Sequence, residues 1–169
     1  IAGLMASVNG RLTPTQLLAR LQEGATKPFP VSTDPTVPIC RVPTNSADIQ
    51  ASECVCTTET CGAGMANAAG SVRAALRPVA AIAVPANVSP GQNVQLRAAG
   101  SGAACNRTVA RYSWAVVASS GSPPGIVGAE TDTATVVAPA SGSFTVRLAV
   151  TDDAGSTDTA DVVIGPNSA

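Results

Sequence analysis

Cysteine is the residue type with the most chemical reach in this chain of 169 residues, because the chain contains no histidine. Without an imidazole there is no Ser–His or Cys–His pair and no histidine base or metal ligand. A complete His-dependent catalytic site therefore cannot lie within these residues. The five cysteines stand at 40, 54, 56, 61 and 105. Four of them crowd a polar stretch, CRVPTNSADIQASECVCTTETCGAG, which reads as a disulfide-stapled loop. The rival reading is a zinc site with Cys54, Cys56 and Cys61 as thiolates and Cys40 as the fourth. It is disfavoured because C-x-C is a poor chelating spacing. Residues two apart bridge only with strain. The pairing is then Cys40–Cys54 with Cys56–Cys61, or Cys40–Cys56 with Cys54–Cys61. Cys105 is left over, free or paired outside the chain. Disulfides place the chain in an oxidising compartment: secreted and extracellular, periplasmic, or at a cell surface.

Other side chains invite weaker chemistry. Asp152, Asp153 and Asp158 cluster near a turn and offer oxygens suited to Ca²⁺, but such turns are commonly solvated hairpins. No cofactor is expected, with calcium the alternative. Trp114 and Tyr112 could form an aromatic platform. With four aromatic residues in all, Trp114, Tyr112 and Phe144 read instead as structural core. Asn87-Val88-Ser89 and Asn106-Arg107-Thr108 match the glycosylation sequon, a tripeptide common by chance. Net charge is −1 and the basic residues are scattered, so there is no footprint for nucleic acid. No apolar run approaches the roughly 20 residues of a membrane span. A chain that opens on Ile1 is expected to have been trimmed.

Two kinds of element must position these residues. Residues 1–9 read as the end of a helix closed by Gly10 as a C′ residue. Thr13, Pro14 and Gln16 then make an N-cap, N1 and capping box, and Leu12 and Leu17 a hydrophobic staple. Leu17, Leu18 and Leu21 supply the apolar face, and Gly24 the end. Residues 28–60 hold five prolines and three cysteines and read as an irregular excursion. A short extended piece at Gly62–Gly64 leads to a helix over about 65–77, apolar at Met65, Ala69, Val72 and Leu76. Pro78 stops it. Beyond Pro78 the hydrophobic period becomes two, and turn residues recur. VAAIAVP, NVQLRAA, VARYSWAVV, ATVVAP, SFTVRLAVT and TADVVI read as strands, with GIVG as a possible seventh. The expected fold class is mixed: a C-terminal all-β, Ig-like sandwich over 79–165, after a helical and irregular segment. The expected domains are 1–77, with the Cys-rich loop at 28–61, and 78–169.

Both parts resemble known families. Ile1-Ala2-Gly3 matches the end of the subtilisin-like serine protease motif G-T-S-M-A-x-P-H-[VI]-A-G. LTPTQLLARLQEGA is similar to that family's next capped helix, and CGAGMANAAGSV to its G-x-G-[ILM]-[VIA]-[ND]-A segment. The resemblance implies that 1–77 is the C-terminal, α/β-fold part of a secreted, bacterial-type endopeptidase. Its nucleophile would lie six residues before Ile1 and its Asp and His further upstream. No catalytic residue is carried onto this chain, which alone should hydrolyse nothing. The second part, through ARYSWAV, VSPGQNVQL and GSFTVRLAVTDDAGSTDTADVVI, resembles PKD-type Ig-like modules, but WAVVASSGSPPG stands where many have DFGDG. This implies an accessory domain that holds or spaces large, poorly soluble protein substrates. The partners implied are the remainder of the peptidase domain and such substrates. The alternative is a non-catalytic binding or adhesion module for extracellular protein or polysaccharide.

Overall fold

Strict alternation over 144–150 buries Phe144, Val146, Leu148 and Val150 on one side of a strand, as the two-residue side-chain period of a pleated strand requires. The computed structural model describes residues 1–49 and 53–166. The ends of the expected sandwich domain at 167–169, and residues 50–52 of the expected Cys-rich loop, lie outside the described residues. The elements are α1 (Ala2–Val8), α2 (Pro14–Glu23), α3 (Ala68–Ala75), β1 (Asn93–Arg97), β2 (Val109–Ser119), β3 (Thr133–Val137), β4 (Phe144–Asp152) and β5 (Thr157–Ile164). The chain divides into two units, Ile1–Val8 with Leu12–Ala75, and Asn9–Arg11 with Leu76–Ala169.

The second unit is a β-sandwich, and the fold is mixed. One sheet pairs β1 with β3, and the other runs β2-β4-β5, all antiparallel. Val94, Leu96, Ala134 and Val136 from the first sheet share one core with Trp114, Phe144, Val146, Leu148, Val150 and Ile164 from the second. Trp114 is buried, and its indole N–H donates to the Thr131 carbonyl at 2.8 Å. A buried indole needs such a partner, and this one fixes the ring's orientation. Tyr112 packs at the margin of the same core.

Two expected strands are absent as strands, for a reason visible in their hydrogen bonds. VAAIAVP makes only isolated bridges, Val79 to Gly102 and Ala83 to Arg97. Between them the Ser101 hydroxyl accepts from the Ala81 N–H at 2.9 Å and donates to the Ala81 carbonyl at 3.0 Å. A side chain thus does what a ladder would have done. GIVG contributes one bridge, Val127 to Thr135, before Gly128 turns away at φ +77°.

In the first unit the capping box forms as its sequence predicts. The Thr13 side chain accepts from the Gln16 N–H, and the Gln16 side chain accepts from the Thr13 N–H. Gly24 caps α2 at φ −74°, in a right-handed conformation. Three helical expectations are corrected. On α2, Leu18 is 53% exposed, while Arg20 is buried and donates to the Ala74 carbonyl. The last helix starts at Ala68 rather than 65, because the Asn67 carboxamide oxygen accepts from the Gly70 N–H at its start. Met65 lies before it, bridged to Thr26. The buried face of α3 is Ser71, Ala74 and Ala75, and Ala69 is exposed. The cause is a close backbone approach: a Cβ on Gly70 would stand 2.2 Å from the Gly24 carbonyl oxygen. This turns the small-residue side of α3 toward α2.

Candidate functional site

The cysteine cluster is built by backbone pairing before any sulfur chemistry. Cys40 donates its N–H to the Val55 carbonyl at 2.9 Å, and Val55 donates to Pro38 at 2.8 Å. That bridge lays the Cys40 strand segment alongside 54–56. A tight turn follows, with the N–H groups of Thr60 and Cys61 both aimed at the Thr57 carbonyl, which returns the chain to Cys56. The disulfides are Cys40–Cys54 and Cys56–Cys61, the first of the two pairings the spacing allowed. The two bridges are neighbours: the Sγ atoms of Cys40, Cys56 and Cys61 all lie within 4.8 Å of one another. Among the described residues this is the one group of three or more metal-binding side chains so close together. Cys105 is free and exposed. Beside the cluster, Asp48 takes both guanidinium nitrogens of Arg41 and the N–H and hydroxyl of Thr44. Arg41 and Thr44 together hold the Asp48 carboxyl well below the usual carboxylate range.

The three acidic residues of the sandwich do not converge on one point. Asp152 ends β4 on its inward face, and its side chain is fully buried. Its Oδ2 accepts from Arg107 Nη1 at 2.8 Å, and its Oδ1 from the N–H groups of Ala154 at 3.1 Å and Ser156 at 2.7 Å. Burial pushes its pKa up, but Arg107 and the backbone donors outweigh that and leave it lowered. Asp153 turns the other way and accepts from the Thr108 N–H and hydroxyl. Asp158 accepts from the Ala80 N–H at 2.9 Å. Each carboxylate thus has its own work in holding a turn or strand. The Asp152-to-Ser156 turn is completed by Gly155 at φ +77°, a left-handed position that suits glycine.

Arg107 was missed in the sequence. It joins the Leu76 carbonyl, the Ser156 hydroxyl and Asp152 through one nitrogen. Period two did carry a signal for its partner, since 152 continues the inward series 144, 146, 148, 150. The opposite face of β2-β4-β5 presents Ser113, Ala149 and Thr159 in one row and Arg111, Thr151 and Thr157 in another. Arg147 and Asp161 pair between β4 and β5 at 2.7 Å. Trp114 is buried and Tyr112 packs partly buried against the same core, so the two do not present a shared exposed face. Among the described residues, no helix is long and apolar enough to cross a membrane.

Comparison with known proteins bears on the second unit. Nothing among curated proteins matches the chain. The chain is similar to the solution structure of the PKD domain from KIAA 1837 protein at 16% identity, over 51% of this chain and 92% of that chain, with a TM-score of 0.37. Residues 85–165, which span β1 through β5 whole, match the family described as K319L-like, PKD domain.

Proposed function

We propose that the sandwich is a non-catalytic PKD-type accessory module, and that the first unit is the trailing part of a subtilisin-like peptidase domain. In the intact enzyme a serine would cleave peptide bonds through an acyl-enzyme, with its oxyanion hole and triad supplied by upstream residues. The sandwich would space the peptidase from large protein substrates or hold them near it.

The observation that carries this reading is the contrast in burial between the units. Among the described residues of the first unit, the buried apolar side chains are Met5, Cys40, Ala74 and Ala75 alone. Leu4 is 55% exposed, and Leu18, Val31, Ile39 and Met65 are also open. A segment of that length with so small an interior is better understood as part of a larger core than as a complete one. The capped α2, and α3 following Gly64, belong to the three segments that resemble the end of a subtilisin-like domain. The test is fluorophosphonate labelling with a casein-hydrolysis assay on this chain and on the full gene product. The expected result is no turnover by residues 1–169, with labelling of a serine six residues before Ile1 in the longer protein. A longer product that takes no label would overturn the peptidase reading. Turnover by residues 1–169 alone would do the same.

A further inference from the structure

We propose that Cys40, Cys54, Cys56 and Cys61 form a single zinc site in the thiol state, so that the loop exists either with two disulfides or with one Zn²⁺. Backbone pairing holds these segments together as well as the S–S bonds do, through hydrogen bonds that involve no sulfur. Hydrogen bonds from Cys40 to Val55 and from Val55 to Pro38 hold the first segment, and those from Thr60 and Cys61 to Thr57 hold the second. Arg41, Thr44 and Asp48 tie down the chain that leaves Cys40. None of these hydrogen bonds uses a sulfur atom.

Three of the sulfurs already lie within 4.8 Å of one another, and the fourth, on Cys54, is bonded to Cys40. A tetrahedral Zn(Cys)₄ centre with Zn–S of about 2.3 Å has sulfurs about 3.8 Å apart. The bonded pairs must open to that spacing, the trio at 40, 56 and 61 must draw in by up to about 1 Å, and Cys54, which lies outside that trio, must swing in as the fourth ligand. The C-x-C spacing that argues against chelation along the chain is no obstacle here, because the ligands converge from two segments. Cys40 is buried and Cys61 exposed, so the site has both a protected floor and an entry. Each disulfide takes two electrons and two protons from a dithiol reductant, which leaves as its own disulfide. Zn²⁺ then displaces the four thiol protons. Cys105, exposed and outside the cluster, takes no part.

The test uses the whole chain, reduced with a phosphine under anaerobic conditions and titrated with Co²⁺. The expected result is one equivalent bound, with the sulfur-to-cobalt charge transfer and visible bands of a tetrahedral thiolate site, displaced by Zn²⁺. Cys54→Ser should weaken binding by about tenfold or more, as loss of a ligand does, and Cys105→Ser should leave it unchanged. Iodoacetamide mapping supplies the second measurement: one equivalent of Zn²⁺ should slow alkylation at 40, 54, 56 and 61 but not at 105. Octahedral spectra, equal slowing at Cys105, or the same affinity in denaturing urea would overturn the proposal.

Discussion

Replacing Asp152 with alanine should destabilise the sandwich more than any other single change to an exposed-looking turn. The substitution removes the carboxylate from Arg107 and takes the acceptor from the N–H groups of Ala154 and Ser156. Removing one member of a buried ion pair costs about 3–5 kcal/mol. Arg107 is 24% exposed and keeps the Leu76 carbonyl and the Ser156 hydroxyl, which favours the lower end, about 3 kcal/mol. At roughly 4–8 °C per kcal/mol for a domain of this size, the midpoint should fall by roughly 12–24 °C. Trp114 is the one tryptophan and sits in the sandwich core, so its fluorescence reports this unit's unfolding. A double-mutant cycle with Arg107→Ala should show that the two losses are far from additive. A loss below about 1 kcal/mol for Asp152→Ala, the range of an exposed pair, would refute the reasoning.

The same residue gives a pH signature. Its folded pKa lies below the unfolded value of about 3.9. Its contribution is therefore fully present above that value and is lost as pH falls through the lower, folded one. Asp161, lowered by Arg147, shifts in the same direction from a more exposed position. Between pH 5 and the acid transition, Asp152→Ala should flatten the decline in Trp114-monitored stability. An unchanged slope would count against the Arg107 pairing.

Further expectations concern the helices and the core. Gly70→Ala should loosen the contact between α2 and α3, because the added Cβ would meet the Gly24 carbonyl at 2.2 Å, whereas Gly3→Ala, with nothing within 4 Å, should stabilise α1 by about 0.5–1 kcal/mol; limited proteolysis of the first unit reads both, and equal effects would sink the contrast. Thr13→Ala should cost about 1 kcal/mol through the lost cap of α2, measured by amide hydrogen exchange in its first turn. Trp114→Phe should cost about 1 kcal/mol more than its lost area, since the Thr131 carbonyl is left without its indole donor; chemical denaturation followed by circular dichroism would test this.

What could be read from the sequence was periodicity and local chemistry. Inward alternation along β1, β2, β4 and β5 is a property of each strand alone, so it carries through to the sandwich. Thr13, Pro14 and Gln16 meet within one turn and needed no tertiary knowledge. The failures share a different cause. Leu18 looked apolar and Arg20 polar, yet Arg20 lies three residues after Leu17 and four before Gly24, on the side where α3 approaches. Its burial depends on the Gly24–Gly70 contact between residues 46 apart, which helix periodicity cannot express. VAAIAVP has the alternation of a strand, but the Ser101 hydroxyl occupies the N–H and carbonyl of Ala81 where a ladder would run.

Asp152 joins these two lessons. Its position in the inward series was readable, and its charge argued for the outside. The outcome depended on Arg107, which lies 45 residues away in sequence and whose own stretch has no alternation to mark it. Once that partner is in place, an acidic residue at the end of β4 stops being a surface ligand and becomes a strut. It fixes the β4–β5 turn through Ala154 and Ser156, and it ties to the chain leading into Pro78 through Arg107, which also donates to the Leu76 carbonyl. The same logic separates the acidic turn from the cysteine cluster. The carboxylates at 152, 153 and 158 each hold a different set of donors. Three of the four cluster sulfurs, by contrast, lie within 4.8 Å of one another on segments that backbone hydrogen bonds hold together.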